Sequence, residues 1–464
     1  MKRANLPALT ILLSGVMSCA AVCAEDAAST NPLAQLAIFA DPTGAYGTLD
    51  TDGPIDTSNP FFQDLGTNGR RCVTCHQPQD AWTITPSHVR QRFAASNGTD
   101  PLFRPVDGAN CPTADVSTRA ARTRAYSLLL TKGLIRIEMT VPANSEFTVL
   151  QADNPYGCTN TAMVSVYRRP LPTASLPYLS AVMWDGRETF KGKSVFDDLA
   201  HQVTDATLIH AQAAVPPSDA QVQQIVAFET GLFTAQLFDL RAGLLTRGGA
   251  QGGPTALAGQ DFFLGINDPV GLNPTQAPFS PVIFNLYDTW STPRNDEDRA
   301  GARQAVLRGQ ALFNSLPITI TGVAGLNDVA LPFDGQIHPS IAGTCGTCHD
   351  SPNVGDHSVS APLNIGLTDA SRRTADLPLF TLMNSTSGEI KVTSDPGRAL
   401  VTGKWADVGK FKGPILRGLA GRAPYFHNGS AATLGDVLDF YNTRFLLNLT
   451  AQQKADFIAF LQTL

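Results

Sequence analysis

Two segments of the chain share a five-residue pattern in which two residues separate a pair of cysteines and a histidine follows directly. They are residues 72–76, CVTCH, and residues 345–349, CGTCH. In this pattern the two thiols add to the vinyl groups of a haem, and the adjoining imidazole coordinates its iron. A tetrahedral zinc site would need a second ligand pair roughly 12–20 residues further on, and neither segment has one. The sequence therefore predicts two covalently bound haem c groups, held by Cys72, Cys75, His76, Cys345, Cys348 and His349.

The N-terminal segment has the three parts of a secretory signal peptide. Lys2 and Arg3 give it a positive start, residues 6–16 are apolar, and residues 22–24 form a small-residue cleavage site. The apolar part is too short to cross a membrane, and no later stretch reaches about 20 apolar residues. We therefore expect residues 1–24 to be removed and the mature protein to be periplasmic, which agrees with haem c attachment outside the cytoplasm.

Charge and cysteine usage limit the partners and the compartment. The formal net charge is −6, and removal of Lys2 and Arg3 with the signal peptide makes it −8. An acidic surface argues against a nucleic-acid partner and favours a basic protein partner. Of the eight cysteines, two lie in the signal peptide and four in the haem motifs. Cys111 and Cys158 remain, and we expect them to form a disulfide in an oxidising compartment.

Hydrophobic periodicity predicts the elements around the first motif. A helix-like run covers residues 88–93, and alternation over residues 135–141 predicts a strand or a hairpin. Further helices are predicted over residues 195–206 and 219–240, where apolar residues fall near one stripe. Residues 25–60 show little periodicity and several turn signals, so we expect them to wrap the surface.

The second motif lies between a predicted helix at residues 298–313 and a C-terminal helix that Thr450 can cap. A helix before the motif, packed against a terminal helix, is the arrangement of a small cytochrome c, and we expect both motifs to have it. The predicted fold is therefore mainly α, with two cytochrome c-like haem domains in tandem and loop and short β insertions. The predicted division is a signal peptide (1–24), an N-terminal haem domain (25–245), a linker or long loop (246–297) and a C-terminal haem domain (298–464).

Three further segments carry a family resemblance. They are Trp184-Asp185-Gly186-Arg187, residues 423–430 (APYFHNGS) and residues 433–441. Together with the order of the haem motifs, they resemble the bacterial di-haem cytochrome c peroxidase and MauG family, from about Phe61 to the C-terminus. The resemblance implies an N-terminal peroxidatic haem with an open side and a six-coordinate C-terminal haem that relays electrons. It also implies that Trp184 lies between the two haems and helps charge to pass.

The resemblance places two residues beside the peroxidatic haem, and one of them departs from the family. Gln202 stands where the family carries a distal glutamine, while the position of its catalytic glutamate falls on Gln212. Cleavage of an O–O bond needs a group that moves a proton, and an amide cannot do this. His210 or Asp205 could serve instead, although His201 and His210 could equally be ordinary surface residues.

A second departure concerns the C-terminal haem. The family's peroxidases carry a methionine fourteen residues after the histidine of the P-Y-x-H-x-G run, and here that position is Tyr441, as in MauG. A tyrosinate ligand favours ferric and higher oxidation states. His427 is the competing ligand, because related rubber-cleaving di-haem oxygenases ligate through a histidine in this region; neither residue need be the ligand. The family also binds calcium near the proline matched by Pro424, but Arg422 replaces a small polar residue there, which leaves calcium open.

Three functions follow from these expectations. The leading one is an exported di-haem peroxidase that reduces hydrogen peroxide with electrons from a small cytochrome c or cupredoxin. The second keeps the architecture but oxidises a protein, as MauG does, or uses oxygen to cleave an organic molecule such as polyisoprene. The third is a non-enzymatic electron carrier in which both irons are six-coordinate. The sequence leaves open whether the chain forms a homodimer.

Overall fold

The computed structural model describes residues 36–262, 264–265, 267–268, 279–292 and 297–464. The predicted signal peptide, residues 1–24, lies outside the described residues. None of the helices in the described part of the chain combines the length and the apolar character that a bilayer span requires.

The described residues form short helices and antiparallel strands. The helices are α1 (Pro86–Ser96), α2 (Arg119–Ala125), α3 (Ser127–Lys132), α4 (Val195–Ile209), α5 (Asp219–Gly231), α6 (Pro254–Ala258), α7 (Glu297–Ser315), α8 (Ala399–Thr402), α9 (Leu434–Phe445) and α10 (Ala451–Leu461). The strands are β1 (Leu36–Asp41), β2 (Gly44–Asp50), β3 (Ile135–Thr140), β4 (Phe147–Asp153), β5 (Met163–Arg168), β6 (Leu232–Asp239), β7 (Gly243–Leu244), β8 (Ile318–Thr321), β9 (Ser340–Gly343), β10 (Leu379–Asn384) and β11 (Ile390–Thr393).

Strands contribute more to the fold than the predicted short insertions. Helix accounts for 32% and strand for 18% of the described residues. The described strands form four sheets, in the orders β1-β2-β6-β7, β11-β10-β4, β3-β5 and β8-β9. The helices predicted near residues 88–93, 195–206 and 298–313 are confirmed as α1, α4 and α7, and the predicted strand at 135–141 is confirmed as β3. The chain is therefore a mixture of helices and small antiparallel sheets.

Two predictions about the first half of the chain were wrong because two distant segments pair there as strands. Residues 44–50, expected on the surface, form the largely buried strand β2, and the helix predicted over 219–240 ends at Gly231. Residues 232–239 instead pair with β2 as strand β6, and almost all of their side chains are buried. A segment buried on both faces has no polar stripe, so its apolar residues match a helix pattern as well as a strand pattern.

The helix pair expected around a haem motif is present at the second motif. α7 lies against α10 so closely that a Cβ atom at Gly309 would meet the Asp456 carbonyl oxygen at 2.1 Å. Arg308 bonds Asp456 at 2.8 Å, and Thr450 caps α10 through the backbone nitrogen of Gln453, which confirms the predicted cap. Ahead of the first motif, by contrast, the described residues form strands β1 and β2 and a single turn at Pro60–Phe62.

Contacts between distant segments hold the two halves of the chain together. Strand β4 pairs with β10 from the far end of the chain, and the described part of the predicted linker adds Phe284, Tyr287 and Trp290 to the core around α7 and α10. The predicted domain boundaries stay a prediction. The expected disulfide between Cys111 and Cys158 is confirmed.

Candidate functional site

Each predicted haem motif lines its own cavity. Both cavities have mostly apolar walls, as a porphyrin requires, and none of the four motif cysteines is in a disulfide. Cavity 1 is lined by Cys72, Cys75 and His76, and cavity 2 by Cys345, Cys348 and His349.

The backbone of each motif makes one tight turn. The amide of His76 donates to the carbonyl of Cys72 at 3.0 Å, and the amide of His349 donates to the carbonyl of Cys345 at 3.1 Å. This turn brings the histidine back beside the first cysteine of its motif. Thiol and imidazole groups therefore face the same cavity, which is the arrangement that a covalently attached haem needs.

The two motif histidines are prepared to act as metal ligands. His76 Nδ1 lies 3.2 Å from the Trp82 carbonyl oxygen, and His349 Nδ1 lies 2.7 Å from that of Gly355. Such a carbonyl fixes the tautomer and leaves Nε2 free to bind a metal. Burial lowers the pKa of each imidazole to about 4, so both are neutral at pH 7.

Three buried cations lie where the two cavities meet. Arg169, Lys412 and Arg422 line both cavities, and among the described residues none of them forms an ion pair with a carboxylate. Burial lowers the pKa of both arginines to about 10 and that of Lys412 to about 8. Buried charges are costly unless they are paired. Because a haem carries two propionate carboxylates, these residues fit the group that the motifs predict.

Trp184 belongs to the wall that the two cavities share. Its ring lines both cavities, and its Nε1 donates to the Arg169 carbonyl at 2.8 Å. The ring centroid lies 6.2 Å from that of His427, which lines cavity 2. The predicted relay residue therefore lies between the two predicted haem sites.

A buried ion-pair network fixes the segment that carries Trp184. The guanidinium of Arg168 is 0% exposed, bonds both carboxylate oxygens of Asp395 at 2.8 and 2.9 Å, and also contacts Asp185. Burial alone would raise the pKa of Asp185, but Arg168 holds it at about 2. The aspartate next to Trp184 is thus a structural residue that anchors the tryptophan.

A histidine and an aspartate meet beside cavity 1. His210 lines the cavity, and its Nδ1 lies 2.5 Å from an oxygen of the buried Asp107, whose other oxygen pairs with Arg70 at 2.5 Å. Gln202 also lines cavity 1, whereas His201 and Asp205 do not. His201 is exposed over 51% of its side chain and bonds Glu188 instead. Of the alternatives considered for a proton-transfer group, the structure brings only His210 to this cavity.

Glu229 also lines cavity 1 and was missed by the sequence analysis. It is 4% exposed, and burial raises its pKa to about 8. Its spacing did carry a signal, because it lies four residues after Ile225 and seven after Val222, both on the buried face of α5. An acid on that apolar stripe indicates a functional position.

We expect the substitution Glu229→Gln to remove a pH dependence of stability. Because the pKa of Glu229 rises from 4.5 in the unfolded chain to about 8 in the folded protein, ionisation destabilises the fold as the pH rises. The unfolding free energy of the variant relative to wild type should therefore grow by about 1.4 kcal/mol per pH unit between about pH 5 and 8. Guanidinium titrations of both proteins across this range measure it. A difference that stays constant with pH would contradict the raised pKa.

Both candidates for the second ligand in cavity 2 line that cavity. His427 is 1% exposed, and its ring stacks on Phe411 with the two ring centroids 4.1 Å apart. Neither nitrogen of the His427 ring has a hydrogen-bond partner among the described residues. Burial lowers its pKa to about 4. Burial raises the pKa of Tyr441 well above its usual value, and the neighbouring thiols of Cys348 and Cys345 add to the shift. The calcium site implied near Pro424 stays a prediction.

Comparison with known proteins identifies relatives that share parts of this chain. The chain is 32% identical over 132 residues to "Cytochrome-c peroxidase IdrP2" of Denitromonas iodatirespirans, which is 26% of this chain and 36% of the relative. It is 34% identical over 140 residues to "Cytochrome-c peroxidase IdrP1" of Pseudomonas sp. (strain SCT), and this match again covers 26% of this chain and 36% of the relative. "Cytochrome-c peroxidase IdrP2" of the same Pseudomonas is 30% identical over 211 residues, which cover 40% of this chain and 53% of the relative. The chain thus spans about a third to a half of these relatives.

No family model matches the chain. A solved structure, "Crystal structure of a MauG-like protein associated with microbial copper homeostasis", aligns over 92% of both chains with a TM-score of 0.39 and 17% identity. The relatives named as cytochrome-c peroxidases confirm the resemblance to the di-haem cytochrome c peroxidase and MauG family.

Proposed function

We propose that this chain is an exported di-haem c-type oxidoreductase of the cytochrome c peroxidase and MauG type, which reduces hydrogen peroxide at the N-terminal haem. The observation that carries the proposal is the pair of cavities, each lined by a C-x-x-C-H motif, with Trp184 in their shared wall. The haem supplies the iron redox chemistry once it is bound, and the chain supplies the site, the protons and the route between the cavities.

His210 is the proposed proton-transfer group of cavity 1. Asp107 holds its Nδ1, so the other ring nitrogen is available to take a proton from peroxide and to return it to the leaving oxygen. Gln202, which lines the same cavity, can hydrogen-bond and orient the peroxide. Cavity 1 combines an imidazole oriented by a carboxylate with the side-chain amide of Gln202, whereas no asparagine or glutamine among the described residues lines cavity 2, and this makes the first motif the better candidate for peroxide chemistry.

The second motif is proposed to hold the electron-transfer haem, with Tyr441 as the sixth ligand. Trp184 would pass electrons from cavity 2 to cavity 1, and a small cytochrome c or a cupredoxin would supply them. Periplasmic export, the tandem domain division, a calcium ion near Pro424 and a homodimer complete this proposal. Steady-state turnover of peroxide with either reduced donor, a small cytochrome c or a cupredoxin, tests the proposed peroxidase activity.

A second function is favoured by one feature of cavity 2. No methionine lines it among the described residues, whereas Tyr441 does. A tyrosinate holds an iron in oxidised states, so a MauG-like oxidation of a protein, or cleavage of an organic substrate, is the alternative. Absent peroxide turnover, together with a stable oxidised state after peroxide addition, would support that alternative. Two six-coordinate irons and no reaction with peroxide would instead indicate an electron carrier.

Electron paramagnetic resonance of the oxidised protein should show one high-spin and one low-spin ferric haem. We expect Tyr441→Phe to change the low-spin signal, because the proposed ligand is lost, and His427→Gln to leave it in place. The opposite result would identify His427 as the ligand. Identical spectra for the wild type and both variants would remove both residues from the coordination sphere.

A further inference from the structure

A cluster of one histidine and two aspartates takes no part in the chemistry described above, although its histidine, His357, lines cavity 2. Asp268, Asp350 and His357 each direct one potential ligand atom to a common point, and these three atoms lie within 4.8 Å of one another. All three residues are buried. We call this group the Asp–Asp–His cluster.

Backbone contacts bring the cluster together from two segments. Asp350 and His357 belong to the loop after the second haem motif, and Asp268 belongs to the segment around Asn267. The Asn267 side chain donates to the Asp350 carbonyl at 3.0 Å, and the amide of Gly265 donates to the Ser358 carbonyl at 3.1 Å. The carboxylates and the imidazole are therefore held in place before any ligand binds.

One carboxylate oxygen of the cluster, on Asp350, is buried without a partner among the described residues. One oxygen of Asp350 accepts from the Ser358 amide at 2.7 Å, but its other oxygen, Oδ2, has no partner. The Nε2 of His357 pairs with a carboxylate oxygen of Asp268. No lysine or arginine in the described part of the chain forms an ion pair with Asp350. A buried carboxylate oxygen without a partner is a group that a bound cation would satisfy.

We propose that the Asp–Asp–His cluster binds one divalent transition-metal ion, with Zn²⁺ as its best-matched occupant. Zinc takes imidazole nitrogen and carboxylate oxygen in tetrahedral sites, and three protein ligands leave the fourth position for water. Calcium and magnesium prefer sites made of oxygen atoms alone. The ion would fasten the segment around Asn267 to the loop that follows His349. This proposal does not depend on the function proposed above.

A second cluster of similar composition serves as the control. Glu188, His201 and Asp205 also place their ligand atoms within 4.8 Å of one another, but His201 is half-exposed and makes an ordinary hydrogen bond to Glu188 at 2.7 Å. Its polar groups are satisfied without a metal. We therefore expect no tight zinc binding there.

The test uses the full-length protein with both haems attached. The protein is treated with a chelator, dialysed against Zn²⁺, washed, and analysed for zinc and iron by mass spectrometry. We expect one zinc for every two irons, and a higher melting temperature in the zinc-loaded than in the chelated protein. Asp350→Asn and His357→Gln should each weaken zinc binding by more than about 100-fold, since even outer-shell changes cost 10–100-fold. The control variant His201→Gln should keep the wild-type affinity.

Two results would overturn the proposal. One is a wild-type protein that retains no zinc and shows no zinc-dependent melting temperature, which would mean that the two carboxylates share a proton instead. The other is equal zinc binding by wild type and both cluster variants, at unchanged haem content and absorption spectrum. If a cluster variant does not fold, the zinc content and melting temperature of the wild type still decide the matter.

Discussion

Replacing His210 by glutamine is expected to lower the rate of peroxide turnover by about 10²–10⁴-fold, the usual contribution of a general acid–base group. The imidazole lines cavity 1 and is oriented by the buried Asp107. Glutamine retains hydrogen bonding but cannot carry the proton between the two peroxide oxygens. Steady-state turnover with a reduced small cytochrome c, measured across pH, gives both the rate and the pKa of the group in use.

His201→Gln is the matched control for this experiment. His201 lies on helix α4, which ends directly before His210, but its imidazole is on the surface and bonds Glu188, so turnover should stay at the wild-type rate. Asp107→Asn should lose part of the rate, because the amide no longer fixes the imidazole tautomer. Full activity in His210→Gln, combined with loss of activity in Glu229→Gln, would assign proton transfer to Glu229 instead.

Replacing Arg168 by methionine should reduce the free energy of unfolding by about 3–5 kcal/mol, the usual cost of breaking a buried ion pair from one side. Arg168 is fully buried and forms ion pairs with two carboxylates at once, those of Asp185 and Asp395. Methionine fills similar space but leaves Asp395 buried without an arginine or lysine partner among the described residues, and Asp185 with only the partly exposed Arg187. Guanidinium unfolding of the haem-loaded protein measures the change.

Arg187→Met provides the comparison, because Arg187 contacts the same Asp185 at 3.2 Å from a partly exposed position. We expect a loss of at most about 1 kcal/mol there. Since Asp185 directly follows Trp184, whose indole donates to the Arg169 carbonyl in the shared wall, Arg168→Met should also disturb the spectrum of the second haem. An equal, small loss in both arginine variants would mean that the network does not stabilise the fold.

The haem motifs illustrate what the sequence alone could determine. Two thiols and an imidazole within five residues specify their own geometry, since one turn of backbone suffices to bring them to one cavity. The disulfide between Cys111 and Cys158 followed from counting the remaining cysteines, and the cap at Thr450 from local hydrogen bonding. All three depend on composition or on residues close together in the chain.

Strand β6 shows where local pattern failed. Its residues are buried on both faces because β2 and the core enclose them, and no property of the segment itself says so. The first motif likewise has strands ahead of it where a helix was expected. Pairing between segments far apart decided these elements.

The candidate site also depends on contacts between residues far apart in the chain. Asp107 and His210 meet across 103 residues, and Arg168 and Asp395 across 227. Hydrophobic periodicity predicts which face of a helix or strand is buried, but it does not predict which other segment of the chain covers that face. The chemistry of the two haem motifs was therefore readable in the sequence. Only packing decided three other features: Asp107 beside His210, Glu229 in cavity 1, and Trp184 in the wall that the two cavities share. Each requires two distant segments of the chain to adjoin the same space.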